Sequence, residues 1–192
     1  ETVIYTNAWM KLPVGKARYG LMLREDGIVM DDGTTTRISE NHYHMTTTTA
    51  QAANVLSHLE YYLQIVWPEL NVNVVSTTEQ WAGAAIAGPK SRDMLAKLYP
   101  ELDVSNEALP FMGFKEADFN GIPSRIFRIS FSGELAYEIN VKSDHGMFMW
   151  EKMMDVGKEF GNQPYGTEAL STLRIEMGHV AGPELDGRTI PA

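Results

Sequence analysis

Arg128-Ile129-Ser130-Phe131-Ser132-Gly133-Glu134-Leu135-Ala136-Tyr137-Glu138-Ile139-Asn140-Val141 places two carboxylates, a turn of small residues and two aromatics in one strand–turn–strand unit. After the turn the side chains alternate. Leu135, Tyr137, Ile139 and Val141 fall on one face, and Ala136, Glu138 and Asn140 on the other. If the apolar row packs on a core, Glu138 is held on a rigid strand and aimed away from it. A carboxylate fixed in that way matches the edge of a flat ligand with two adjacent N–H donors. Taken alone, the stretch is satisfied more simply by a solvated glutamate on the polar side of a sheet.

A second stretch adds to it. Lys16-Ala17-Arg18-Tyr19-Gly20-Leu21-Met22-Leu23-Arg24 reads as a strand and Glu25-Asp26-Gly27 as a turn. Ile28-Val29-Met30-Asp31-Asp32-Gly33 then reads as a second strand that runs out at a pair of acids. Period-two alternation sends Asp31 and Asp32 to opposite sides, so only one of them faces any given pocket. The plainer alternative is that Asp32-Gly33 opens the next turn.

Between and beyond these stretches the pattern predicts further elements. Residues 41–48 read as a strand. Thr49 then caps a helix over 50–66, with Ala53, Leu56, Leu59, Leu63 and Val66 on its buried stripe, and Pro68 ends it. Strands are expected at 71–76 and 81–87, and a short helix from Gly88-Pro89 to Leu98. Asn120-Gly121 is a hairpin turn between strands 111–119 and 122–131, and helices over 144–160 and 167–178 close the chain. Strands and helices mix without βαβ alternation, so the expected class is α+β, with mixed or antiparallel sheets and packed helices.

Composition narrows the function classes. At 192 residues and 44% hydrophobic, the chain can bury one sizeable core or two smaller ones. A net charge of −9, with no basic stripe, argues against nucleic acid. No apolar run reaches membrane-spanning length, so no membrane contact is expected. The N-terminal residues lack both a basic start and an apolar h-region, so no secretory signal is expected. The absence of cysteine excludes disulfides, thiolate metal sites and a cysteine nucleophile, and fits a cytoplasmic location. His42 and His44 lie two apart on a strand but have no third ligand at metal spacing, and no metal is expected. Met147, Phe148, Trp150, Met153 and Met154 are most simply helix core, or else a face turned to a partner. Thr46-Thr47-Thr48-Thr49 offers hydroxyls without the glycines and lysine of a phosphate loop.

Three motifs, in order along the chain, resemble the glycine-cleavage T-protein (aminomethyltransferase) superfamily. They are Tyr19-Gly20-Leu21-Met22-Leu23 through Asp31-Asp32, Ser132 through Ile139, and Leu173-Arg174-Ile175-Glu176-Met177-Gly178 with Glu184-Leu185-Asp186. Within that superfamily, Arg18 to Gly27, Met45 to Thr49, Thr78-Glu79-Gln80-Trp81 and Phe127 to Val141 are similar in wording to the alpha subunits of heterotetrameric sarcosine oxidases. The resemblance implies two related lobes around a folate cavity. It also implies that residues 1–192 are one folate-binding domain, incomplete at its N-terminus and lacking the family's C-terminal barrel domain.

The resemblance further implies a site. Asp32 matches the family's conserved acid, with Asp31 as the fallback, and is the expected catalytic carboxylate. Tyr19 matches a pocket tyrosine and Glu138 a ligand-contacting glutamate. Thr48 stands where the family has a ligand-contacting Asn, and Phe131 where it has Tyr, which keeps stacking but loses a phenolic hydrogen bond. Leu170 stands where many members carry Arg. Arg174, one turn on, is a possible substitute or an ordinary partner of Glu168 or Glu176. The implied ligand is tetrahydrofolate, capturing a methylene or formaldehyde unit from sarcosine oxidation as 5,10-methylenetetrahydrofolate. FAD, FMN and NAD, with the other oxidase subunits, are expected elsewhere in a parent complex. A stand-alone aminomethyltransferase served by a lipoyl carrier, and a non-catalytic folate-binding module, are the alternatives.

Overall fold

The computed structural model describes residues 5–180, which divide into two compact units. The first comprises residues up to Val14 together with Arg18–Glu79. Its sheet has three strands in the order β1 (Lys16–Leu23), β2 (Val29–Ser39) and β3 (His42–Met45), with β2 and β3 antiparallel. Asp26 closes the first turn by accepting from the Ile28 N–H at 2.9 Å. A core of Tyr5, Trp9, Leu12, Met22, Val55 and Tyr62 forms here.

The helix after β3 differs from the expectation in phase. It opens with a 3-10 turn (Thr49–Gln51), continues as α1 (Ala52–Tyr61) and ends in a π turn (Tyr62–Val66). These turns of 3.0 and more than 3.6 residues rotate the helix face away from a uniform wheel. Val55 and Tyr62 are buried with Leu59 packed beside them, whereas Ala53 and Val66 are exposed. Thr49 lies within the 3-10 turn and is not the cap; Thr48 precedes it, without a side-chain capping bond. The helix stops at Val66, two residues before Pro68, as expected.

Residues 71–76 are not a strand. No regular structure forms there, and Val72, Val74 and Val75 are exposed. β-propensity expresses itself only where a ladder partner is supplied, and none is present for this stretch among the described residues.

The second unit comprises Gly15–Ala17 and Gln80–Val180. Four antiparallel strands run in the order β4 (Trp81–Ala87), β7 (Ala136–Lys142), β6 (Ile122–Phe127), β5 (Phe114–Phe119). On one side pack α2 (Ser91–Leu98) and α3 (Gly146–Gly157); α4 (Thr167–Glu176) follows with no fully buried residue. Leu95, Leu109, Phe119, Ile126, Tyr137, Ile139 and Val141 are wholly buried. Asn120 (φ 53°) and Gly121 (φ 88°) form the expected hairpin turn. Its strands are shorter than expected at their far ends. Met112, at φ 58°, cannot continue β5, and the chain leaves β6 after Phe127.

Of the Met-rich cluster on α3, Met153 enters the core with Met149. Met147 (69% exposed), Phe148 (43%) and Trp150 (46%) face outward, because the helical period puts positions 149 and 153 on the sheet side.

Candidate functional site

In the first unit the two aspartates separate as strand alternation requires. Asp31 points inward and is 3% exposed. Its Oδ1 accepts the Thr48 hydroxyl at 2.8 Å and its Oδ2 accepts the Thr48 backbone N–H at 3.0 Å. Burial pushes the Asp31 pKa up, against the downward pull of these bonds. Asp31 is therefore a clamp on the segment leaving β3.

Asp32 points the other way. Its Oδ2 accepts the Tyr19 hydroxyl, donated from β1 at 2.8 Å. Partial burial, then the bond to Asp32 and its charge, raise the Tyr19 pKa, so the phenol stays a donor through the ordinary pH range. One donor leaves the remaining lone pairs of Asp32 open to a ligand.

Gly33 makes the arrangement possible. A methyl group there would lie 2.0 Å from the Thr46 carbonyl oxygen. Without it, β2 and β3 approach closely, the Thr34 N–H donates to Thr46 Oγ1 at 3.0 Å, and Thr46 N–H donates to Thr34 O at 2.8 Å. Thr48, two residues on, then reaches Asp31.

In the second unit Glu138 sits on β7 between Ala85 of β4 and Phe127 of β6. Tyr137, Ile139 and Val141 are completely buried on the opposite face, so the alternation expected for this stretch is the one observed. Burial raises the Glu138 pKa, and no other influence opposes it. Among the described residues no donor or cation meets its carboxylate. The nearby cation in register is committed elsewhere: Arg125 lies 4.2 Å over the Trp81 ring and 3.6 Å from Glu116. Lys142 covers the same ring at 4.4 Å.

Small residues open the space along this row. A methyl on Gly83 would lie 2.5 Å from Asn140 Oδ1, so the Asn140 amide rests across Gly83. Asn140 and Gly83 were not singled out from the sequence as site residues. The signal for Asn140 is its i+2 spacing from Glu138; Gly83 becomes meaningful only through strand register.

Phe131 lies in the segment between β6 and β7 and is 41% exposed. Leu170 is half-buried on α4, and Arg174 donates to the His179 carbonyl at 3.1 Å. A cleft of about 550 Å³ in this unit, bordered by Ala84, Met94, Trp150, Met153 and Tyr165, includes none of the expected site residues. Among the described residues no cluster of three His, Asp or Glu has metal-binding geometry, and no helix is long and apolar enough to cross a membrane. The first unit thus joins Asp31 to Thr48 and Asp32 to Tyr19, while the second carries Glu138 and Phe131.

Comparison with known proteins agrees with the motifs. The sarcosine oxidase subunit alpha of Rhizobium meliloti (strain 1021) is 53% identical over 191 residues, covering 98% of this chain and 19% of that protein. The subunit of the same name from Corynebacterium sp. (strain P-1) is 52% identical over 190 residues, covering 98% of this chain and 20% of that one. An aminomethyltransferase of Chloroherpeton thalassium is 33% identical over 187 residues, covering 97% of this chain and 50% of that protein. The chain thus spans about a fifth of the oxidase subunits and half of the transferase. The glycine cleavage system aminomethyltransferase T from Bartonella henselae shares the fold, with a TM-score of 0.75 at 22% identity over 93% of this chain and 45% of that one. The model of the GCVT N-terminal domain matches residues 2–192. By its motifs, its α+β architecture and this match over nearly its whole length, the chain belongs to the GCVT N-terminal domain family.

Proposed function

We propose that this chain is the tetrahydrofolate-binding region of a sarcosine oxidase alpha subunit. In this reading it captures the one-carbon unit released by oxidative demethylation. The observation that carries the reading is that each unit mounts a carboxylate on a strand, Asp32 in the first and Glu138 in the second, neither held in an ion pair among the described residues. A structural carboxylate that is partly buried normally has a cation or several donors; Glu138 has neither, and fits a ligand edge that supplies N–H groups.

Reduced folate supplies two nucleophilic nitrogens, which take up the carbon of a methylene iminium or of formaldehyde and release the amine or water. The protein's residues prepare for that step. Glu138 receives the N–H edge and orients the ring system, and Phe131 offers a stacking face. Tyr19, kept protonated, holds Asp32 by one oxygen. Asp32 is then a fixed carboxylate, positioned to stabilise developing positive charge and to accept a proton. Asp31 holds Thr48 in place, and the Thr48 hydroxyl oxygen remains free to accept. FAD, FMN and NAD, and the oxidation of the amine itself, belong in this proposal to other parts of the complex.

The higher identity to oxidase subunits favours this reading over a stand-alone aminomethyltransferase. The test is Asp32→Ala in the full-length enzyme. Folate-dependent trapping of the methylene carbon should fall by about 100-fold or more while flavin reduction by sarcosine persists. An unchanged yield of methylenetetrahydrofolate would refute the assignment and leave a binding module.

A further inference from the structure

The end of α4 is fitted to the segment that carries Phe131. Gly178, at φ 77°, donates its N–H to Ile175 O at 2.9 Å, and the His179 N–H donates to Arg174 O at 2.8 Å. This pair of bonds is the Schellman arrangement, in which a left-handed residue closes a helix C-terminus. The Arg174 guanidinium returns to donate to His179 O at 3.1 Å, so the His179 backbone is held on both sides.

The side chain then turns to the neighbouring loop. His179 Nδ1 lies 3.1 Å from the Phe131 carbonyl oxygen, and the two rings are 6.0 Å apart at 48°. Two residues along, Gly133 gives Met177 its place: a methyl on Gly133 would sit 1.8 Å from Met177 Cγ. A carbonyl oxygen only accepts, so the imidazole must carry a proton on Nδ1 to make the bond. Phe131 is 41% exposed and belongs to neither buried core. His179 meets its backbone carbonyl and lies beside its ring.

We propose that His179 is a positioning residue: by donating Nδ1–H to Phe131 O, it fixes the ring of Phe131 as a stacking face for the flat ligand. The proposal rests on the folate reading above for its ligand and on the α4–loop contact for its geometry. His179 need not touch the ligand. Its contribution is to remove freedom that Phe131 would otherwise lose on binding.

Two measurements on the full-length protein test it. The first is anaerobic calorimetric titration with reduced folate of the parent, His179→Ala, His179→Asn, Phe131→Ala and the Phe131→Ala/His179→Ala double variant, each checked by thermal melting. His179→Ala should weaken binding three- to tenfold, roughly the worth of one hydrogen bond. His179→Asn should stay within about twofold of the parent, since an Asn amide places an N–H where Nδ1 stood. In the Phe131→Ala background, His179→Ala should add less than about twofold, because the residue acts through Phe131. Parent-like affinity of His179→Ala, or an equal loss in the Phe131→Ala background, overturns the proposal while leaving the folate reading intact.

The second measurement is hydrogen exchange of the amides at 130–134 in the ligand-free protein. Exchange should accelerate in His179→Ala and return to the parent rate in His179→Asn. Unchanged exchange in His179→Ala overturns the positioning role even if the parent shows no saturable folate binding, an outcome that refutes the folate reading instead.

Discussion

Glu138, proposed above as a ligand contact, carries a cost in stability that pH should expose. Its pKa is raised by burial, so the folded chain holds a proton that the unfolded chain gives up over an intermediate pH window. In that window the native state binds more protons than the unfolded state, and stability falls as pH rises through it. Above the raised pKa the penalty of a partly buried, unpaired charge is present. Glu138→Gln removes that penalty with little change in shape. We expect the variant to melt above the parent at pH 7, with the gain vanishing below about pH 4, where both states of the parent are protonated. The same variant should lose affinity for reduced folate, because an amide presents one acceptor and one donor to an edge of two donors. A melting temperature equal to or below the parent's at pH 7 would show that donors compensate the charge. The aspartates divide differently: Asp31 is compensated by Thr48 and serves architecture, whereas Asp32 keeps one donor and open lone pairs.

Among the elements, the β2–β3 pair carries the tightest constraint. Gly33→Ala drives a methyl into the Thr46 carbonyl and must spread the strands, loosening the Thr34–Thr46 bonds and the Asp31–Thr48 clamp. We expect a loss of roughly 2–4 kcal/mol, read as a lower urea midpoint with an unchanged slope. A midpoint within experimental error of the parent would mean that the strands separate at no cost. The sequence discloses Gly33 only as a turn candidate, since the atom it avoids lies across a strand pair. What is local was legible: the face alternation of residues 135–141, the opposed Asp31 and Asp32, and the Asn120-Gly121 turn all follow from period-two geometry and turn chemistry. Tertiary context decided the rest. Val72, Val74 and Val75 have strand propensity but no ladder among the described residues, Met112 breaks a strand by its backbone conformation, and the 3-10 and π turns flanking α1 leave Val55 and Tyr62 as the buried positions. Likewise the strand faces of Glu138 and Asp32 were legible, whereas the Asp31–Thr48 clamp spans seventeen positions and shows no local pattern.

The whole molecule distributes its core unequally. Among the described residues, one apolar cluster of fourteen buried side chains lies in the second unit, against six in the first. Hydrophobic stabilisation scales with apolar area removed from water, so the four-stranded sheet has the deeper reserve. The three-stranded unit, which carries Tyr19, Asp32 and the Asp31–Thr48 clamp, depends more on hydrogen bonds that water can replace. Native-state hydrogen exchange across a urea series should therefore show the amides of β1–β3 opening at lower urea than those of β4, β6 and β7. Saturating reduced folate, binding only the folded site, should raise the opening free energy of the β1–β3 amides by an amount that grows with the logarithm of ligand concentration. One common opening transition for both sheets without ligand would refute the unequal reserve. Protection of β4–β7 alone by folate would mean that the aspartate cluster takes no part in binding, and that Glu138 and Phe131 suffice.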